Sequence, residues 1–90
     1  VTFVVADATP SVAGGNRFKE VNSGATTITA FDDGTDGQVI YILFTTGNTT
    51  IQDGANLQLA GSVNFVGTAN DILTLIRFDT IWYEVSRSLN

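Results

Sequence analysis

The sequence predicts an all-β, sandwich-like antiparallel domain, and three observations predict it. β-Branched and aromatic residues fall in short runs whose polarity alternates with period two, as on strands with one face buried. Clusters rich in Gly, Asn and Asp separate those runs at regular intervals. No stretch carries the 3.6-residue apolar period of a helix.

Taken in order, Val1 to Ala6 is apolar and reads as a strand or the tail of an upstream linker, broken by Asp7-Ala8-Thr9-Pro10. Because the chain begins with Val1, it looks like a fragment or a processed product. Gly14-Gly15-Asn16 is a turn, and Arg17 to Val21 alternates weakly, which suits an exposed strand. After Asn22-Ser23-Gly24 comes a β-rich run, Thr26 to Phe31, with Ile28, Ala30 and Thr26 on its inward face. Asp32 to Gly37 is an acidic turn. It leads into Gln38 to Thr45, the strongest strand in the chain. Val39, Tyr41 and Leu43 share one face of that strand, while Ile40, Ile42 and Phe44 share the other. Both faces are apolar, so both call for cover.

Gly47-Asn48 then predicts a tight hairpin with positive φ. Asp53-Gly54 is a second turn, Asn56 to Ala60 and Val63 to Phe65 alternate, and Thr68 to Asn70 connects. The last pair of strands, Asp71 to Phe78 and Ile81 to Arg87, flanks a two-residue turn at Asp79-Thr80. That turn sets Phe78 opposite Ile81, Ile76 opposite Tyr83 and Thr74 opposite Val85, an apolar face expected to be core. The other face sets Arg77 opposite Trp82, Leu75 opposite Glu84 and Leu73 opposite Ser86, with Arg77 stacking on Trp82 and reaching Glu84 diagonally. Either a neighbouring chain or the chain's own second sheet covers this second face.

Ninety residues make one domain, and a domain of this size buries only roughly 60–65% of its unfolded surface. Small domains add disulfides, a metal or oligomerisation. With no Cys and no His, oligomerisation is the device left. Four basic against nine acidic residues give a net charge of −5 with no basic cluster, which argues against nucleic acid. No apolar run approaches the roughly 20 residues that span a bilayer, so no membrane insertion is expected.

Ser11 to Asn16, Gly24 to Thr29, Phe31 to Gln38, Gly47 to Gly54, Asn70 to Leu75 and Trp82 to Ser88 together resemble the C-terminal β-domain of bacteriophage tail fibres and tailspikes, found on pectate-lyase-like phage proteins. The resemblance runs from about Ser11 onward and rests on turns and strand cores. It implies a homotrimeric terminal cap in the virion tail, made in the bacterial cytoplasm, that holds three chains in register at a host-facing tip and touches host surface glycans. Residues 1–10 fall outside it and are expected to be an N-terminal segment or linker, with 11–90 the trimerising domain.

The expected interface comprises Ile40, Ile42, Phe44, Leu73, Leu75, Arg77 and Trp82; Trp82 and Tyr83 are the candidate glycan contacts. No cofactor is expected. Asp32-Asp33-Gly34-Thr35-Asp36-Gly37 invites a calcium reading, but Gly34 and Leu43 stand where an EF-hand needs oxygen ligands. Catalysis is not expected: without His, Ser and Thr lack the usual base, and no carboxylate pair predicts a cleft. The competing reading is a carbohydrate-binding receptor module, favoured by the Thr/Asn/Ser-rich surface. A β-helix end piece stacking Ile51, Leu57, Leu59, Val63 and Phe65 ranks last, because those spacings are irregular.

Overall fold

A computed structural model describes every residue from Val1 to Asn90. Eight strands form: β1 (Arg17–Glu20), β2 (Thr26–Ile28), β3 (Val39–Phe44), β4 (Thr49–Ile51), β5 (Leu57–Gln58), β6 (Phe65–Val66), β7 (Ile72–Phe78) and β8 (Ile81–Ser88), with one 3₁₀ turn at Ala60–Ser62. They divide between a five-stranded sheet in the order β1-β3-β7-β8-β5 and a three-stranded sheet in the order β2-β4-β6.

The two sheets enclose one core of fifteen apolar residues. The larger sheet contributes Phe18, Ile40, Ile42, Phe44, Leu73, Leu75, Trp82 and Leu57, and the smaller sheet answers with Ile28, Ile51 and Phe65. Loop residues Phe3, Val12, Phe31 and Leu59 close the sides. Phe3 stacks on Phe18 at 5.0 Å, Phe31 lies 5.8 Å from Phe3, and its ring meets Trp82 edge-on at 5.8 Å. Such offset and edge-on pairs add to the burial of the rings themselves.

A fully buried carboxylate ties the sheets together. Glu20, at the end of β1, accepts hydrogen bonds from the Thr45 and Thr46 amides at 3.2 and 3.1 Å and from the Thr46 hydroxyl at 2.8 Å. The hydroxyl of Thr49, on β4 of the other sheet, also donates to it and accepts from Asn22 Nδ2 at 2.7 Å. Burial of an anion without a cation is tolerable only with this many donors.

Several expectations are corrected. The sheets are mixed instead of antiparallel: β1–β3, β2–β4 and β5–β8 pair in parallel, while β3–β7, β4–β6 and β7–β8 are antiparallel. Gly47-Asn48 does not close a hairpin, because β3 and β4 lie in different sheets, and neither residue has positive φ. The weakly alternating Arg17 to Glu20 strand is exposed on one side only, since Phe18 is buried. Residues 1–10, expected as an N-terminal segment or linker, pack against the domain as a segment of it. Thr2 bridges to Lys19, the Phe3 amide donates to the Lys19 carbonyl at 2.9 Å, and the Phe3 ring is part of the core.

Candidate interaction face

The β7–β8 hairpin turns at Asp79, which has φ 56°, and keeps the predicted pairs Phe78 with Ile81, Ile76 with Tyr83, Arg77 with Trp82 and Leu75 with Glu84. Beyond Leu75 a bulge shifts the register by one residue, so Thr74 meets Ser86 and Leu73 meets Arg87. Val85 is the extra residue and is exposed.

The outer face of the five-stranded sheet, turned away from the smaller sheet, is apolar along β3 and at the hairpin end, with Thr74, Ser86 and Ser88 interrupting it on β7 and β8. β3 presents Val39, Tyr41 and Leu43 there, opposite Ile76, Thr74 and Ile72 of β7. Phe78, Ile81 and Tyr83 continue the patch at the hairpin end. Tyr41 is 44% exposed, Phe78 57% and Tyr83 38%, unusually open for large rings on a central sheet. Phe78 and Tyr83 pack edge-on at 5.9 Å and so hold each other upright.

Edge strand β1 extends this face with cations, Arg17 opposite Tyr41 and Lys19 opposite Leu43. The Gly14-Gly15-Asn16 turn folds over them and leaves a groove of about 490 Å³, floored by Tyr41, Leu43 and Ile72. At the far end of the same face, Asp36 Oδ1 accepts the Asp79 amide at 2.8 Å, which sets two carboxylate residues side by side next to Phe78.

A family model of the phage depolymerase C-terminal beta sandwich domain matches residues 8–83. The chain belongs to this family. No curated protein and no solved structure matches it. The match to the phage depolymerase C-terminal domain begins at Ala8, inside the segment expected to be linker, and the two packed sheets are the sandwich that its description names.

Within this depolymerase C-terminal domain, the residues expected at an interface lie elsewhere. Ile40, Ile42, Phe44, Leu73 and Leu75 are fully buried and Trp82 is 1% exposed, all inside a single chain. The smaller sheet and the Phe31–Gly34 loop cover them, so that face has nothing to offer a neighbour. Trp82 is equally closed to glycan, while Tyr83, expected in the core, remains accessible. Arg77 is half-buried. Its guanidinium lies 5.7 Å from the Trp82 ring as expected, but its Nε donates to the Asp79 carbonyl at 2.9 Å and it does not pair with Glu84.

Glu84 instead pairs with Arg87 at 2.7 Å and accepts the Ala60 amide at 2.9 Å. The hydrogen bonds from Arg87 hold the Glu84 carboxyl below its ordinary range, and the same contact raises Arg87. Asp71 is also held low, chiefly by the Thr68 amide, with help from the Thr68 hydroxyl and the Asn90 amide. In the acidic loop the carboxylates diverge toward separate partners: Asp32 accepts from the Thr9 hydroxyl, Asp33 from Ser11 and Asp36 from the Asp79 amide.

Tyr41, Leu43, Ile72, Ile76, Phe78, Arg17 and Lys19 are the face residues that sequence reasoning missed. Their signal was present in the two-sided apolarity of β3 and in the alternation of cations around Phe18.

Proposed function

We propose that this domain is the terminal module that brings three copies of a phage tail fibre or tailspike together and holds them in register at the host-facing tip of the virion tail. Family membership supports a C-terminal module of such a protein. The observation that carries the trimer is the uncovered apolar face of the five-stranded sheet. Three central strands of about seven residues span on the order of 300 Å². That matches the lower end of the largest apolar patch on an ordinary monomer, a patch that is often functional, and its burial is worth about 25 cal/mol per Å².

The domain does no chemistry in this reading and adds binding area alone to a protein made in the bacterial cytoplasm. Sedimentation equilibrium of the chain tests it: a mass of three chains is expected, and a single-chain mass at tens of micromolar overturns it.

A second reading is recognition of a bacterial surface glycan. The observation favouring it is the groove in which the open Tyr41 ring stands beside Arg17 and the backbone of Gly14-Gly15-Asn16. Aromatic rings beside polar groups suit sugar stacking, and Tyr83 offers a second accessible ring, whereas Trp82 does not. Glycan-array binding that disappears in Tyr41→Ala is the expected result, and an array at background for the unmodified chain overturns this reading.

A further inference from the structure

We infer that neighbouring copies meet head to tail, with the Phe78–Asp79 hairpin tip of one copy seated in the groove beside Arg17, Lys19 and Tyr41 of the next. The inference rests on the trimeric reading and names the contact that closes it.

The charges carry the argument. The chain has only four basic residues against nine acidic ones, and two of the four stand side by side on β1. The chain's one ion pair is Glu84–Arg87, so Arg17 and Lys19 have no carboxylate partner although acids outnumber bases twofold. Cations on an edge strand discourage stray strand pairing. Here they also line a groove whose floor is Tyr41, Leu43 and Ile72, which that role alone does not require.

At the opposite end of the same face lies a complementary shape and charge. Phe78 is the most open aromatic side chain in the domain; Asp79 follows it in the turn, where Asp36 Oδ1 accepts the Asp79 amide and Arg77 Nε donates to the Asp79 carbonyl. An exposed ring at a turn with two acidic residues matches an apolar floor beside two cations. Within one chain Arg17 and Tyr41 stand level with Thr74, four residues or roughly 13 Å along β7 from Phe78, and Arg17 lies two strands across from it. The tip and the groove cannot satisfy each other except between copies.

This arrangement is compatible with three copies. Two different patches in contact make a heterologous interface, which closes into a three-membered ring when each copy is turned by a third of a revolution and otherwise runs on as a filament, whereas a self-complementary patch would give a pair. A rotation preserves height along its axis, so the tip and groove must sit at one level and the three-fold axis runs across β7 instead of along it.

Charge reversal tests the contact by sedimentation. Arg17→Glu with Lys19→Glu, and separately Asp36→Lys with Asp79→Lys, each place like charges together and are expected to weaken trimer association by at least about tenfold. The four substitutions combined restore opposite signs and are expected to recover the trimer. Arg17→Ser with Lys19→Ser, neutral changes on an exposed strand, gives the same direction if either reversal unfolds the chain. Trimers that persist in both reversals, or a combined variant that does not recover, overturn this contact and leave the trimeric reading standing. A single-chain mass for the unmodified protein overturns both. Persistence of the trimer together with loss of acidic-saccharide binding in Arg17→Glu/Lys19→Glu assigns the cations to a ligand instead.

Discussion

Trp82 shows how strongly single residues decide this fold. Phe31 packs on its edge, Arg77 lies over its ring, and a Cβ at Gly34 would come within 2.6 Å of it, so the loop closes on the indole only because residue 34 is glycine. Its indole N–H is buried without an acceptor, which offsets part of the gain from burial. Trp82→Ala is expected to cost about 3–5 kcal/mol in urea denaturation. Phe78→Ser, on the open face, is expected to shift chain stability by about 0.5 kcal/mol or less. Glu20→Gln turns one acceptor of a buried, donor-surrounded carboxylate into a donor and is expected to cost about 1–3 kcal/mol by the same measurement. Asp71 and Glu84 are both depressed in the folded chain, so they stabilise it above their ordinary values of 3.8 and 4.5. That contribution is lost as pH falls through the lowered folded values. Stability followed by thermal melting is therefore expected to be level near neutrality and to decline below about pH 4.5, and Asp71→Asn with Glu84→Gln flattens the acid limb.

At the scale of elements, the strands were legible and the choice of inner face was not. Period-two alternation and turn residues located β3, β7, β8 and the Asp79-Thr80 hairpin, and most hairpin pairs read from the sequence hold. Yet the face of Ile76 and Tyr83, which the pattern marks as core, is the outer one, while the face of Trp82 and Leu75, which the pattern leaves to a neighbouring chain or a second sheet, is covered by the chain's own second sheet. On strands apolar on both sides the pattern cannot say which face turns inward; the position of β2, β4 and β6 does, and that depends on contacts distant in sequence. The bulge opposite Thr74 and Leu75 moved Val85 out of register for the same reason, since no residue type announces it. The parallel pairing of β1 with β3 was also hidden, because a crossover through β2 in the other sheet leaves no local mark. The N-terminal segment belongs to the same lesson: Phe3 stacks on Phe18 of β1 from outside the recognisable motifs. Phe3→Ala is expected to destabilise the chain by about 3 kcal/mol in urea, where a linker residue would change nothing.

For the whole molecule, a small chain that hides Ile40, Ile42, Phe44 and Trp82 by itself needs no neighbour to complete its core. On the other side of the same sheet Tyr41, Phe78 and Tyr83 are exposed and Ile76 is half-buried, with Arg17 and Lys19 beside them on β1 and Asp36 and Asp79 at the hairpin end. The most direct measurement is the solution mass of the chain by sedimentation equilibrium at tens of micromolar, with Ile76→Glu run alongside. Three times the 9.5 kDa chain mass, falling to one chain in Ile76→Glu with its fold retained, is the predicted result. A 9.5 kDa species for the unmodified chain, or a trimer indifferent to a charge at position 76, would contradict it.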